Sequence, residues 1–457
     1  MVQTARHPRV RGAKRRDKTF WRHRRQSGGT GGGGSIPTIP PDPDLVIDDS
    51  FLTSLPSEWD FARAGFQVFE NNAGQLVTEP TAGTPVFSSI EGESRGVLIE
   101  TASTNLHPDA SDLSGASWQA PVNATLSIDS ATAPDTSNNA DTLQEDSTSS
   151  VHSISTTPFV AASGGIRTVS FYVPRSTTRR IVVDADAVMG ASALFDIDSG
   201  QTVATAGAAG NLNTEIYPVG NFFRVILSGT GTGVSAPVTI SLATTAHTTA
   251  TPQTYLGDGA SSISVWGYQL ESRPFASGVI ETLGSTGARQ GTTLSRPHTL
   301  PVDEFSFVVD FSTAVDHNDD KGTTPRVVTF NSGAENESIE FFLARFNNNI
   351  IVEKTVGGVS RTLNLINEPM YERGDQLSLS VAVDSSGARA SLNGMPVVIT
   401  NAAQSTTFGA PFNSAPTQIE IGRRAGNAAI SNIQASGLKV WHRALTDAEL
   451  MAESAVT

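Results

Sequence analysis

The chain contains no cysteine, which excludes a disulfide framework, a thiolate zinc site and a cysteine nucleophile. It has no run of eighteen apolar residues, so no segment is long enough to cross a bilayer as a helix. Residues 1–26 lack the apolar stretch of a secretory signal, and the expectation is that nothing here directs export. HExxH, G-x-S-x-G and P-loop signatures are all missing. The eight histidines are scattered, and none is paired at a metal-ligand spacing.

What is abundant is Ser, Thr, Gly, Val and Asn, while strong helix formers are scarce. Runs of alternating apolar and polar residues recur, separated by turn residues every ten or so positions. That pattern predicts antiparallel sandwiches and an all-β fold. At 457 residues there is room for two or three domains with sizeable cores. Charge is split along the chain. Residues 1–25 hold ten Lys or Arg against Asp17 alone, a balance of +9 in a chain of net charge −14, so the remainder carries −23. A basic arm on an acidic body reads as an anchoring tail.

That arm, residues 1–26, presents Arg6, Arg9, Arg11, Lys14, Arg15, Arg16, Arg22, Arg24 and Arg25, with Trp21 among them. Such a segment can bind nucleic acid by releasing counterions, dock on an acidic protein surface through guanidinium forks, or remain a solvated tail. Residues 27–44 follow as SGGTGGGGS and then the Pro-rich IPTIPPDPD. A flexible half and a stiffer half together span roughly 40–45 Å, enough to decouple arm and body.

Residues 45–95 alternate short apolar clusters with Gly and Pro turns and predict a strand-rich lead-in packed on the first sandwich, with Trp59, Phe61, Phe66, Val68 and Phe69 in the core. Strands are expected at 169–173, 180–183, 193–197, 222–227, 238–242 and 263–270. Trp266 and Tyr268, two apart, are expected on one sheet face, a pair that either stacks on a sugar ring or fills the core, with Trp266 read as core and Tyr268 open to both. Residues 282–303 are polar and turn-rich and mark a linker. A second series of strands runs from 305 to 441, with Asn393-Gly394 as a hairpin turn. Thr446 and Glu449 then carry the S/T-x-x-E spacing of a capping box.

Several of these stretches carry a family likeness. The order LPSEWDFARA, then Gly74 and Leu76, then RGVLIETASTNL at 95–106 and Trp118, resembles a module of tailed-bacteriophage fibre and head-spike proteins. It departs at Val86, where that module has Arg before Phe87, and at Leu113, where it has an aromatic residue. TVSFYVPRS, ALFDIDSGQTVAT, EIYPVGNFFRVIL and YLGDGASSISVWGYQLE continue the likeness, and the module is similar to jelly-roll carbohydrate-binding modules. SFVVDF, ARASLNGMPV, IEIGRR and ISNIQASGLKVWHRALTDAEL resemble concanavalin A-like and laminin-G-like domains.

The resemblance implies two tandem jelly-roll β-sandwiches, at 45–281 and 304–457, preceded by a disordered basic arm and a Gly/Pro-rich linker. It implies a virion structural protein of a phage or gene-transfer agent, a head spike or tail fibre, at the virion surface. The arm would bind capsid or other spike subunits, with nucleic acid the less expected partner. The sandwiches would bind host polysaccharide, as a homo-oligomer and away from any membrane. Tyr255, Asp258 and Tyr268 are the candidate sugar contacts. Asp316, Asp319 and Asp320 offer hard oxygen ligands suited to calcium, which laminin-G-like domains often hold.

Catalysis is not expected. The E-x-D-x-x-E of glucanases on the concanavalin-like fold is absent, and only the i, i+2 pairs Glu91/Glu93 and Asp184/Asp186 offer paired carboxylates. A purely structural capsid decoration protein and a polysaccharide depolymerase are the rival readings. Arg373-Gly374-Asp375 spells an integrin-binding tripeptide and is read here as turn chemistry without function.

Overall fold

The structure is a computed structural model that describes residues 44–456 apart from 66, 91, 177, 208–211, 314–325, 334–335, 345–348, 367–370, 372, 400–407 and 424–431. Strands dominate throughout, as the composition predicts. One sandwich faces a six-stranded sheet, whose central strands are Ile166–Pro174 and Ser262–Glu271, against a five-stranded sheet centred on Arg180–Asp184. Alternation builds its core. Val169, Phe171 and Val173 point inward from one strand, and Phe223, Val225 and Leu227 from its antiparallel neighbour Phe222–Thr230.

The other sandwich faces two eight-stranded sheets, one through Phe305–Thr313 and Ile433–Trp441, the other through Arg326–Asn331 and Glu337–Ala344. In Phe305–Thr313 the odd positions Phe305, Phe307, Val309 and Phe311 enter the core. Each fully buried Phe contributes roughly 1.5–3 kcal/mol. Val308, on the opposite face, packs under the C-terminal helix Asp447–Glu453 with Leu445 and Leu450. Thr446 and Glu449 cap that helix reciprocally, as their spacing predicts. Asn393 and Gly394 both have positive φ, 49° and 75°, between Gly387–Leu392 and Met395–Pro396, the geometry of a type I′ turn.

The pairing redraws the domain limits. Leu45–Ser50 and Glu93–Ile99 pair with Ile433–Trp441, and Asp60–Ala62 with Thr293–Pro297, so most of the lead-in and part of 282–303 belong to the second sandwich. Trp59 joins that second core. Only the hairpin Gln67–Glu70 with Leu76–Glu79 packs on the first sandwich as expected, through Val68 and Leu76. Phe61 and Phe69 are only half-buried, and Phe66 lies outside the described residues. The first sandwich is therefore inserted within the second, and Ser103–Asn105 paired with Gly287–Arg289 closes its neck. Local alternation identifies strands but cannot reveal partners at opposite ends of a chain.

Arg373 lies 3.8 Å over the ring of Tyr217 and 3.9 Å from the Glu70 carboxylate. The tripeptide it begins therefore forms part of the contact between the two sandwiches.

Candidate functional site

The most developed open site lies on the first sandwich, where a bulge faces two loops. Ala124–Ala131 pairs in register with Ala140–Glu145 up to Ser127↔Thr142, then resumes at Ala131↔Ala140. Two surplus residues are thrown outward, and Asp129 takes φ 49°, a conformation costly for a side-chain-bearing residue. Asp141 holds the bulge. Its buried carboxylate accepts the Asp129 N–H at 2.8 Å and the Leu113 N–H at 2.7 Å, so one side chain fixes two walls. Burial pushes the Asp141 carboxyl above its usual range, with the two amide bonds opposing the shift.

The result is a groove of about 480 Å³ lined by Ser111, Asp112, Ile128, Asp129, Asn139, Glu281, Thr282 and Leu283. Ile128 and Leu283, 52 % and 81 % exposed, both line it. Thr282 is fixed by donating to the His107 carbonyl at 2.8 Å and accepting the Ala110 N–H at 3.0 Å. The Ser111 hydroxyl is buried without a protein partner. Glu281 is exposed as a residue, yet packing around its carboxyl raises its pKa, with the charge of Asp135 adding to the rise. Three carboxylates, an amide and two hydroxyls beside these apolar side chains suit a ligand rich in hydroxyl groups, whose C–H faces meet the apolar side chains. Among the described residues no Lys or Arg lines the groove.

Tyr255 and Asp258 come together elsewhere on the same sandwich. The Tyr255 hydroxyl donates to Glu145 at 2.6 Å, and Arg179 reaches Glu145 at 2.5 Å and Asp258 at 2.8 Å. The Asp258 carboxylate also accepts the Ala260 and Ser261 amides and the Ser261 hydroxyl. Those bonds, led by the Ser261 amide, drop its pKa far below the usual carboxylate range. Burial alone would raise Glu145, but Arg179, Tyr255 and the Asp258 amide hold it below its ordinary value. The polar atoms satisfy one another, so the arrangement is a loop clamp rather than an open site.

Tyr268 requires a correction. It is fully buried, 4.8 Å from the Trp118 ring and 4.6 Å from the His107 ring, and cannot meet a glycan. Nor does it share a face with Trp266. Ser170↔Gln269 and Tyr172↔Trp266 enclose an extra residue around Gly267, whose φ is +65°. The bulge sends Trp266 into a separate cluster with Tyr172 and Val68. Asp184 and Asp186 are a turn rather than a catalytic pair, since the Asp186 N–H donates to Asp184 at the end of its strand. The calcium candidates Asp316, Asp319 and Asp320, the carboxylate Glu91 and the whole basic arm, Arg6 to Arg25 with Trp21, lie outside the described residues.

Sequence reasoning missed the groove because its residues come from three distant segments and include no aromatic. The available signal was the density of Ser, Asp and Asn at 127–141, inside an otherwise alternating strand pair. It also missed the pairing of His298 with His442, whose Nε2 atoms lie 3.2 Å apart.

No family model matches this chain, and no curated protein matches it. Solved structures that resemble it include the CBM40 domain of Ruminococcus gnavus IT-sialidase bound to alpha2,3 sialyllactose, at 13% identity and TM-score 0.27, covering 34% of this chain and 84% of that one. Domain 4 of AbnA, a GH43 extracellular arabinanase from Geobacillus stearothermophilus, in complex with arabinotriose, is similar at 12% identity and TM-score 0.28, covering 37% and 77%. The NanB sialidase from Streptococcus pneumoniae is similar at 12% identity and TM-score 0.27, covering 34% of this chain but only 24% of that one. Likenesses at this level carry no argument about what this chain binds.

Proposed function

We propose that this chain is a non-enzymatic display protein of a tailed-phage or gene-transfer-agent particle, whose first sandwich binds a host-surface polysaccharide. The observation that carries the glycan reading is the groove, where hydroxyl-binding groups stand beside Ile128 and Leu283 and are held in place by Asp141. Its carboxylates, with no cation among the described lining residues, select neutral or amino-sugar-containing chains over uronic or sialic acid polymers. The basic N-terminal sequence and the linker after it support attachment to a particle by one end. Binding at each groove would be weak and raised by several copies on one particle.

The test pairs glycan binding with particle assembly. Full-length protein and a version beginning at Leu45, just inside the unit spanning 43–457, are tested for binding to host polysaccharide and for sedimentation with particles. Display by the arm predicts that both versions bind glycan while only the full chain joins particles. Shortened glycan would support a depolymerase, and absence of binding a structural fitting. Within the groove, Asp129→Asn and Leu283→Ser should each weaken glycan binding about tenfold, the loss of roughly one charge-assisted hydrogen bond or one apolar contact. Tyr255→Phe should leave it unchanged, and the reverse pattern would move the site to the Tyr255 loop.

A further inference from the structure

His298 follows strand Thr293–Pro297 and His442 follows strand Ile433–Trp441, so the two histidines end strands in opposite sheets of the second sandwich. Their backbones are fixed. The His298 N–H donates to the Thr417 carbonyl at 3.0 Å, and the His442 N–H to the Asp44 carbonyl at 3.2 Å. The side chains converge with Nε2 atoms 3.2 Å apart and ring planes inclined at 41°. With one ring as its Nε2–H tautomer this is a hydrogen bond. With both rings as Nδ1–H tautomers, both Nε2 atoms are acceptors.

The separation matches coordination chemistry. Two imidazole nitrogens bound at 2.0–2.1 Å to one tetrahedral ion lie about 3.3 Å apart, and at a right angle about 2.9 Å. The guanidiniums nearby are paired with carboxylates. Arg296 is paired with Asp49 at 2.5 Å, and Arg443 is bonded to Glu449 at 3.0 Å and lies 3.5 Å from Asp44. Three carboxylates thus surround two guanidiniums. We propose that His298 and His442 form a two-imidazole site for a borderline divalent ion of the zinc, nickel or copper class, which pins the two sheets of the second sandwich together.

Among the described residues no group of three or more His, Cys, Asp or Glu could hold a metal, so the described part of the chain supplies two imidazole ligands here. Nitrogen ligands select these ions over calcium and magnesium.

The test uses the full chain in metal-free buffer at neutral pH, titrated with Cu²⁺ and followed by electron paramagnetic resonance, and with Zn²⁺ followed by calorimetry and thermal unfolding. Because His7 and His23 lie in the N-terminal segment, the decisive comparison is with His298→Gln, His442→Gln and the double variant. The expected result is one equivalent bound through two nitrogens, affinity at least tenfold weaker in each single variant, and a rise in Tm with Zn²⁺ that the double variant lacks. Equal binding by the double variant would assign the ion to other histidines and overturn the proposal. If a variant fails to fold, the Cu²⁺ spectrum of the unsubstituted chain decides, and a single-nitrogen ligand set there also overturns it.

Discussion

Asp141 and Glu145 leave the same strand on the same face, both buried, yet they are used in opposite ways. Glu145 meets the guanidinium of Arg179, and its pKa falls. Asp141 has no cation beside it, and burial raises its pKa, with its two backbone amide bonds opposing the rise and the charges of Asp112 and Asp129 adding to it. The counter-charge makes the difference. A paired carboxylate closes a loop upon itself, whereas one bonded only to amides can hold a strained bulge open without filling the space in front of it.

The largest effect should come from breaking the closed end. Arg179→Ala leaves Glu145 buried without its cation and should cost about 3–5 kcal/mol in urea unfolding, with Glu145→Gln in the Arg179→Ala background restoring part of it. Next, His107 extends the comparison to a base. Burial lowers its pKa from 6.5 to about 4. The unfolded chain therefore takes up a proton before the folded one does. Stability should fall as pH drops from 6.5 to 4 and then level off, by about 3 kcal/mol in all. His107→Gln should flatten that part of the pH profile.

Asp141→Asn comes third. It keeps one acceptor for two amides, so about 1–3 kcal/mol should be lost together with glycan binding. In the unsubstituted chain the raised folded pKa of Asp141 means stability lost as pH climbs from the ordinary aspartate value through the folded one. Glu145, lowered, loses stability as pH falls from the ordinary glutamate value through its folded one. The Asn variant should remove only the first slope. The smallest effect on stability belongs to Leu283→Ser, within about 0.5 kcal/mol because that side chain is already in water, so any loss of glycan binding there reports the groove alone.

Where the sequence was informative, the signal was local. The 169–173 and 263–270 strands, the Asn393-Gly394 turn and the Thr446/Glu449 cap all follow from residues within a few positions of one another. The shared face of Trp266 and Tyr268 was misread because a single glycine, Gly267, shifts the alternation between them. Tyr255 was read as an exposed-loop residue beside Asp258, whereas it is half-buried in the short strand Tyr255–Leu256, and the sequence could not show that Glu145 and Arg179 occupy the polar atoms of both. The groove and the histidine pair need contacts between residues far apart in the chain, which no window of sequence contains.

The insertion of one sandwich within the other has a consequence for synthesis and for damage. Leu45–Ser50 emerges from the ribosome early but must wait for Ile433–Trp441 before its pairing exists. At about 5–20 residues per second the inserted sandwich has time to fold first, as a finished knot of structure around which its host later closes. Once closed, the inserted sandwich is held by two covalent crossings, beside Ser103–Asn105 and Gly287–Arg289. A protease that cuts either crossing alone leaves it attached by the other, so shedding the sandwich that carries the groove takes two cleavages.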